Sequence, residues 1–403
     1  MFKLRPYQKE ASVKGLEILK DKHILILNFE VRTGKTHIAL DIAKNYKDVL
    51  FVTKKKAISS IEKDYNEASH CYKITVINYE SLHKVKGNFD LIICDESHCL
   101  GAFPKPSKRV KQLKEMVKSN DLILLTGTLL PESNSQIFHQ LHISKHSPFN
   151  EFYNFYKWFN SFGNPKIRYT AYGQCKDYSD VNYNLIEDVI NSIKLSYTQK
   201  EAGFEAVVNE HIRLVRMDQL TYDLAYKLRR DLVIQGRKHI ILADTGVKLM
   251  SKLHQIYSGT IKFECGYSEV LDLSKANYIK DNFKGKIAIF YKFKAELKAI
   301  QSVLDVTQDL EEFNNSNKSI ALQIVSGREG INLSKAECIV YYNIDFSAVS
   351  YWQSRDRLTT INRLENNVYW LFSDDGIELD IYEAVMNKKN YTLQTFKKNE
   401  QRG

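Results

Sequence analysis

The chain has 403 residues, a formal net charge of +10, and is 43% hydrophobic and 26% charged. That composition excludes a disordered chain, leaves room for two domains with proper cores, and carries an excess of positive charge that favours a polyanionic partner without identifying one. The six cysteines are scattered with no C-x-x-C pair, no signal-peptide core follows Met1, and no apolar run reaches the length of a membrane span; neither a cysteine zinc site nor a disulfide framework is indicated, and a cytoplasmic chain away from membranes is expected.

The chain opens on Leu4-Arg5-Pro6-Tyr7-Gln8, just before an amphipathic stretch with Val13, Leu16, Ile18 and Leu19. A glutamine amide can both donate to and accept from one edge of adenine, so Gln8 can read the base while Tyr7 packs nearby; an ordinary helix N-terminus is the alternative. Residues 23–27 read as a strand, and Ile38, Ala39, Ile42, Ala43 and Tyr46 recur at helical spacing. Between them lies Asn28-Phe29-Glu30-Val31-Arg32-Thr33-Gly34-Lys35-Thr36, which reads as a phosphate-binding loop. In such a loop the backbone N–H groups and the helix N-terminus face the phosphates, the lysine reaches the β- and γ-phosphates, and the following hydroxyl ligates Mg²⁺. Phe29 stands where that pattern has its first glycine.

A second strand over 49–53 empties into Lys54, Lys55 and Lys56, which can grip a nucleic-acid backbone or form a solvated charge run. A third, over 73–77, runs into Tyr79 and Ser81. The apolar run 91–94 ends on two adjacent carboxylates, Asp95 and Glu96. Two such groups make a poor core, but Asp95 can hold Mg²⁺ through water while Glu96 orients or deprotonates the water that attacks a γ-phosphate. The strand over 122–125 ends in Thr126-Gly127-Thr128. Strands alternating with helices, with polar residues at their carboxyl ends, describe a doubly wound parallel sheet with its site along that edge.

From 131 to about 203 the pattern is aromatic and helix-like, without clear strand alternation. The aromatic run 151–159 can stack bases, although aromatics at this spacing more often form core, and His139, His142 and His146 lack the neighbours of a metal site. A second α/β pattern then begins, with strands expected over 211–216, 286–291, 320–325, 338–342 and 368–372 and an amphipathic stretch over 220–234. Two such sheets suggest a cleft between them. The second pattern contributes a glycine-bearing loop at a strand end, Ser326-Gly327-Arg328-Glu329-Gly330, and later Gln353-Ser354-Arg355-Asp356-Arg357. An arginine delivered there can stabilise charge developing on the γ-phosphate.

In this order the residues resemble the superfamily-two helicases and translocases, specifically the Swi/Snf branch and its compact phage and bacterial relatives. Leu4 to Gln8 looks like that family's adenine motif, Thr33-Gly34-Lys35-Thr36 its phosphate loop, Asp95-Glu96-Ser97-His98 its DExH box, and Leu125 to Thr128 the segment linking hydrolysis to nucleic acid. Ser326 to Leu333 is similar to the family's glycine-containing motif, and Gln353-x-x-Asp356-Arg357 has the Swi/Snf form of its last one. Two positions depart. Thr360 stands where a second arginine is usual, leaving Arg355 or Arg363 as substitutes, and Leu129 replaces a proline.

The resemblance implies two tandem RecA-like doubly wound lobes, residues 1–203 and 204–403, with an ATP cleft between them, a helical extension from about 131 and a helical insertion over about 218–280. ATP and Mg²⁺ are the implied cofactors, held by Arg5, Tyr7, Gln8, Thr33, Gly34, Lys35 and Thr36, with Thr36 and Asp95 on the metal. Catalysis falls to Lys35, Asp95, Glu96, Gln353 and Arg357. Nucleic acid falls to Lys54, Lys55, Lys56, Tyr79, Ser81, Thr128, Lys292, Ser326 and Gly327. A minimal, monomeric motor on duplex or branched DNA is expected. An RNA helicase, or an ATP-regulated nucleic-acid scaffold with weak hydrolysis, remains open.

Overall fold

Strand β1 (Ile24–Phe29) opens on four consecutive apolar residues, Ile24 to Leu27, because both of its faces are covered. Ile24 and Ile26 enter one core with Leu50, Ile92 and Leu122, whereas Leu25, Leu27 and Phe29 enter another with Phe51, Ile93 and Ile123. A period of two with cover on each side is what a helix-wrapped parallel sheet requires. The computed structural model describes residues 4–68, 71–170, 173–203, 207–236, 239–327, 331, 333–355, 365–387 and 390–400. The chain divides into two units, Met1–Phe204 and Glu205–Gly403.

The first unit holds β1, β2 (Asp48–Thr53), β3 (Lys73–Asn78), β4 (Leu91–Cys94), β5 (Asp121–Thr126), β6 (Lys166–Thr170), β7 (Gly173–Asp177) and β8 (Lys194–Tyr197). Its main sheet runs β3-β2-β4-β5-β1-β8, with every pairing parallel. Asn28 pairs with Thr126, Leu124 with Cys94, and Cys94 with Val52. The register therefore brings the carboxyl ends of β1, β2, β4 and β5 to one edge of the sheet. Around it lie α1 (Pro6–Lys22), α2 (Lys35–Ala43), α3 (Ile58–Glu67), α4 (Lys108–Val117), α5 (Ile137–Leu141) and α6 (Phe155–Phe162). Pro6 starts α1, where its missing N–H costs nothing, and Ser107 and Asn154 cap α4 and α6 through their side-chain oxygens.

The stretch after Pro131 differs from its expected helical character. It contains the antiparallel hairpin β6–β7 and the strand β8, which extends the sheet beyond β1. Lys194–Tyr197 is four residues long and only partly buried, so it carries no apolar run; pairing with a distant segment makes it a strand. In the aromatic run, Phe155, Trp158 and Phe159 are core, while Tyr153 and Tyr156 are exposed.

In the second unit the strands are β9 (Val207–Val215), β10 (Val233–Gln235), β11 (Ile240–Leu242), β12 (Thr260–Lys262), β13 (Ser268–Val270), β14 (Ala288–Tyr291), β15 (Val306–Thr307), β16 (Ser319–Gln323), β17 (Cys338–Tyr341) and β18 (Glu365–Ser373). Its main sheet, β15-β16-β14-β17-β18-β9, is again all parallel. Phe290, Ile339 and Trp370 face one core, and Ile289, Val340 and Leu371 the other. Each unit thus has the expected doubly wound sheet. Among the described residues, the stretch 218–282 holds the helices Gln219–Asp231, Gly246–Tyr257 and Ser274–Asn282 and also the antiparallel pairs β10–β11 and β12–β13, which the expectation of a helical insertion did not contain. The backbone at Ser326 and Gly327 is the end of a helical turn, Ile324–Gly327, and not the expected loop, because β16 already stops at Gln323.

Candidate functional site

Gly34 is the N-cap of α2 at φ 83°, and Arg32 stands at φ 65°. The left-handed backbone favours glycine here, and a Cβ on Gly34 would sit 2.1 Å from Gln8 Nε2, so the Gln8 amide would have to move. No side chain caps α2 among the described residues, which leaves its first N–H groups directed at the loop. Lys35 Nζ donates to the carbonyls of Phe29 at 2.7 Å and Glu30 at 3.2 Å, and Thr33, fully buried, donates its hydroxyl to Glu30. The ammonium is held over the loop it is expected to serve. A Cβ on Gly127 would lie 3.7 Å from that ammonium, so the turn after β5 reaches the same place.

The opening motif closes on the loop from outside. Tyr7 Oη and Gln8 Nε2 both donate to the Thr33 carbonyl, at 2.8 and 3.1 Å, and Gln8 Oε1 accepts from the Arg5 N–H at 2.9 Å. Tyr7 stacks on Tyr197 of β8 with ring centroids 4.9 Å apart. Gln8 is 3% exposed, so its amide is engaged by backbone and couples α1 to the phosphate loop; the expected direct reading of adenine would have to displace one of these bonds.

At the end of β4, Asp95 Oδ2 accepts from the Thr53 hydroxyl at 2.8 Å and Oδ1 from the Glu96 N–H at 3.0 Å. Burial, then the adjacent Glu96 carboxylate, push Asp95 up to about 6, opposed by the Thr53 bond and the Lys35 ammonium. Glu96 sits in the left-handed region at φ 49°, a strained position for a non-glycine residue that is characteristic of functional sites. Its Oε2 lies 3.3 Å from His98 Nδ1, which also approaches the Thr126 hydroxyl at 3.5 Å. Thr128 N–H donates to the Thr126 hydroxyl, which donates to the Thr128 carbonyl. One chain of contacts thus runs from the carboxylate pair to the turn after β5. Fully buried Gln140 adds a second, accepting from Ser97 at 3.1 Å and donating to the Leu129 carbonyl at 3.0 Å.

Two expected nucleic-acid contacts are corrected. Tyr79 is 1% exposed and donates its phenol to the Asp95 carbonyl at 2.6 Å, so it supports the carboxylate turn from within. Lys292 forms an ion pair with Asp345 at 3.0 Å and lies 3.7 Å from the centroid of Phe346, with little of either charged side chain reaching solvent. Burial lowers its pKa against the pull of Asp345. It is an internal cation, not an exposed phosphate contact. Lys55 and Lys56 are exposed after β2, and Lys54 and Ser81 are partly buried.

In the second unit, Glu210 of β9 gathers four donors: Tyr351 at 2.7 Å, Arg355 at 3.1 Å, Trp370 at 2.9 Å and Tyr382 at 3.0 Å. Arg355 also lies 4.3 Å from the Trp352 ring centroid. This arginine is thereby engaged by the Glu210 hub. Gln353 lies on the helix Ala348–Arg355, whereas Arg357, Thr360 and Arg363 lie outside the described residues. Thr53, Gln140, Tyr197 and Glu210 were not singled out from sequence. Of these only Thr53, a polar strand end beside the lysine run, carried a local signal.

A family model for the SNF2-related domain matches residues 22–259, more than half of the chain. The chain belongs to the SNF2-related family. No curated protein matches its sequence. Among solved structures, this SNF2-related chain is similar to the Sulfolobus solfataricus SWI2/SNF2 ATPase core in complex with dsDNA, at 15% identity and a TM-score of 0.44 over 96% of this chain and 91% of that one. Among the described residues no helix of the SNF2-related chain is long and apolar enough to cross a membrane, and no group of three or more His, Cys, Asp or Glu side chains is placed to hold a metal. The hydroxyl of Thr36 and the carboxylate of Asp95 are hard oxygen donors, which fits a Mg²⁺ ion that keeps most of its water and takes further oxygens from a nucleotide.

Proposed function

We propose that this SNF2-related protein is a DNA-dependent ATPase that couples ATP hydrolysis to movement along duplex or branched DNA. The observation that carries the reading is the shared sheet edge: the Lys35 loop, the Asp95-Glu96 pair and the Thr126–Thr128 turn leave β1, β4 and β5 side by side and touch one another. Lys35 and the N–H groups at the start of α2 bind the phosphates, Thr36 and Asp95 hold Mg²⁺, and Glu96, positioned by His98, orients the attacking water. The bound ion supplies charge neutralisation on the β- and γ-phosphates. Lys55 and Lys56 offer exposed charge to the nucleic-acid backbone beside this site.

Steady-state ATP hydrolysis measured with no nucleic acid, single-stranded DNA, duplex DNA, a four-way junction and RNA tests the proposal. Stimulation by duplex or branched DNA, abolished by Lys35→Ala and lowered at least ~100-fold by Glu96→Gln, is the expected result. Stimulation by RNA alone would replace the substrate, and hydrolysis indifferent to Glu96→Gln would favour a nucleotide-regulated scaffold.

A further inference from the structure

In the first unit, between the segment that follows the carboxylate pair and the aromatic run, lies a cavity of about 220 Å³ that the motor reading does not use. Its floor is formed by the core rings Phe138 and Phe155, and the rings of Tyr153 and Tyr156 are exposed along it. Phe138 and Phe155 meet edge to face at 5.8 Å, His142 stacks on Phe138 at 4.6 Å, and Tyr156 packs its edge on Phe155 at 5.9 Å. His139 and His142 are anchored through Nε2 to the carbonyls of Pro104 and Phe152, at 3.0 and 3.1 Å, and burial lowers the pKa of both, so these walls are uncharged at neutral pH. The mouth is the opposite. Lys105, Lys111 and Lys114 line it, and Lys114 donates to His142 Nδ1 at 3.0 Å, which ties one ammonium to the rim.

A cavity of roughly 150 Å³ is enough to take benzene. About 220 Å³ therefore suits one larger flat ring. The accessible rings of Tyr153, Tyr156 and neutral His142 select a flat, uncharged group, and the lysines beside them select anions attached to it. A nucleotide unit within a strand has both properties, since every base offers a π-face and is flanked by phosphates.

We propose that this cavity receives a single unpaired nucleobase of a DNA strand, with its flanking phosphates on Lys105, Lys111 and Lys114. The inference rests on the proposed action on DNA and sharpens it: the motor carries a built-in preference for DNA with a base out of its stack, as at a bulge, fork or junction.

The test uses duplexes with 2-aminopurine either paired or as a one-base bulge, in DNA and in RNA, titrated without ATP. The Lys35→Ala protein serves as well as the unmodified one, so a failure of ATP hydrolysis leaves the result readable. We expect the bulged DNA to bind about tenfold more tightly than the paired duplex, the scale of one base–aromatic stack, with a change in 2-aminopurine emission. Tyr156→Ala and Lys111→Glu, both at exposed positions, should each remove most of that preference while leaving paired DNA within about twofold, and Tyr156→Phe should keep it. Equal binding of bulged and paired DNA, an equal loss on both in the variants, or a preference for bulged RNA would overturn the proposal.

Discussion

Thr53 donates its hydroxyl to Asp95 at 2.8 Å, so the tip of β2 holds the carboxylate that ends β4. Deleting this bond removes a contribution that keeps Asp95 lower than burial alone would allow. The folded value of about 6 lies above the ordinary one, so Asp95 favours the fold while protonated in acid, and that contribution fades as pH rises through 6. In the proposed role of Asp95 as a Mg²⁺ ligand, the same proton would compete with the ion. Affinity for Mg²⁺-nucleotide should fall as pH drops below about 6, Thr53→Val should move that midpoint upward, and Asp95→Asn should abolish it. Fluorescent-nucleotide titrations between pH 5 and 8 provide the check, and a midpoint unmoved by Thr53→Val would reject the assignment.

At Gly34 the left-handed backbone and the nearby Gln8 amide act together. Gly34→Ala should cost about 1–2 kcal/mol and displace Gln8 from the Thr33 carbonyl, with loss of nucleotide binding. Thermal denaturation read alongside nucleotide affinity decides this; a variant with unchanged values in both would mean that the loop relaxes freely.

Gln140 joins Ser97 to the Leu129 carbonyl in a fully buried position. Gln140→Leu should leave two buried partners unsatisfied, at about 1–3 kcal/mol. If the contact also couples the carboxylate turn to the turn after β5, stimulation by DNA should fall several-fold while hydrolysis without DNA changes little. A proportional loss of both rates would assign Gln140 to stability alone.

Glu210 should behave as a structural hub. Removing it by Glu210→Ala withdraws the acceptor shared by Tyr351, Arg355, Trp370 and Tyr382, and should destabilise the second unit by about 3–5 kcal/mol, with Glu210→Gln milder. Chemical denaturation measures the loss, and a shift below about 1 kcal/mol would show that the four donors find other partners.

The legible parts were those in which neighbouring residues carry the cause. Leu91 to Cys94 reads as a strand because four consecutive buried residues need cover on both faces, and the structure assigns the same four residues. The ends of β2 and β5 were also legible from their apolar runs, within a residue or so. Lys194 to Tyr197 offered no such run, and Tyr79 gave no sign that it turns inward, since its phenol is satisfied by a carbonyl at the end of another strand.

The sequence by itself determined the doubly wound pattern, the strand-loop-helix that carries Gly34, and the adjacent carboxylates Asp95 and Glu96, because periodicity and neighbouring residue types are local properties. Only the tertiary structure decided that β8 lies beside β1, that Lys292 is paired with Asp345, that Glu210 holds Arg355, and that neutral rings and lysines share one cavity. Each of these joins residues far apart in the chain, and such partners are selected by packing and charge satisfaction, which no single stretch of sequence contains.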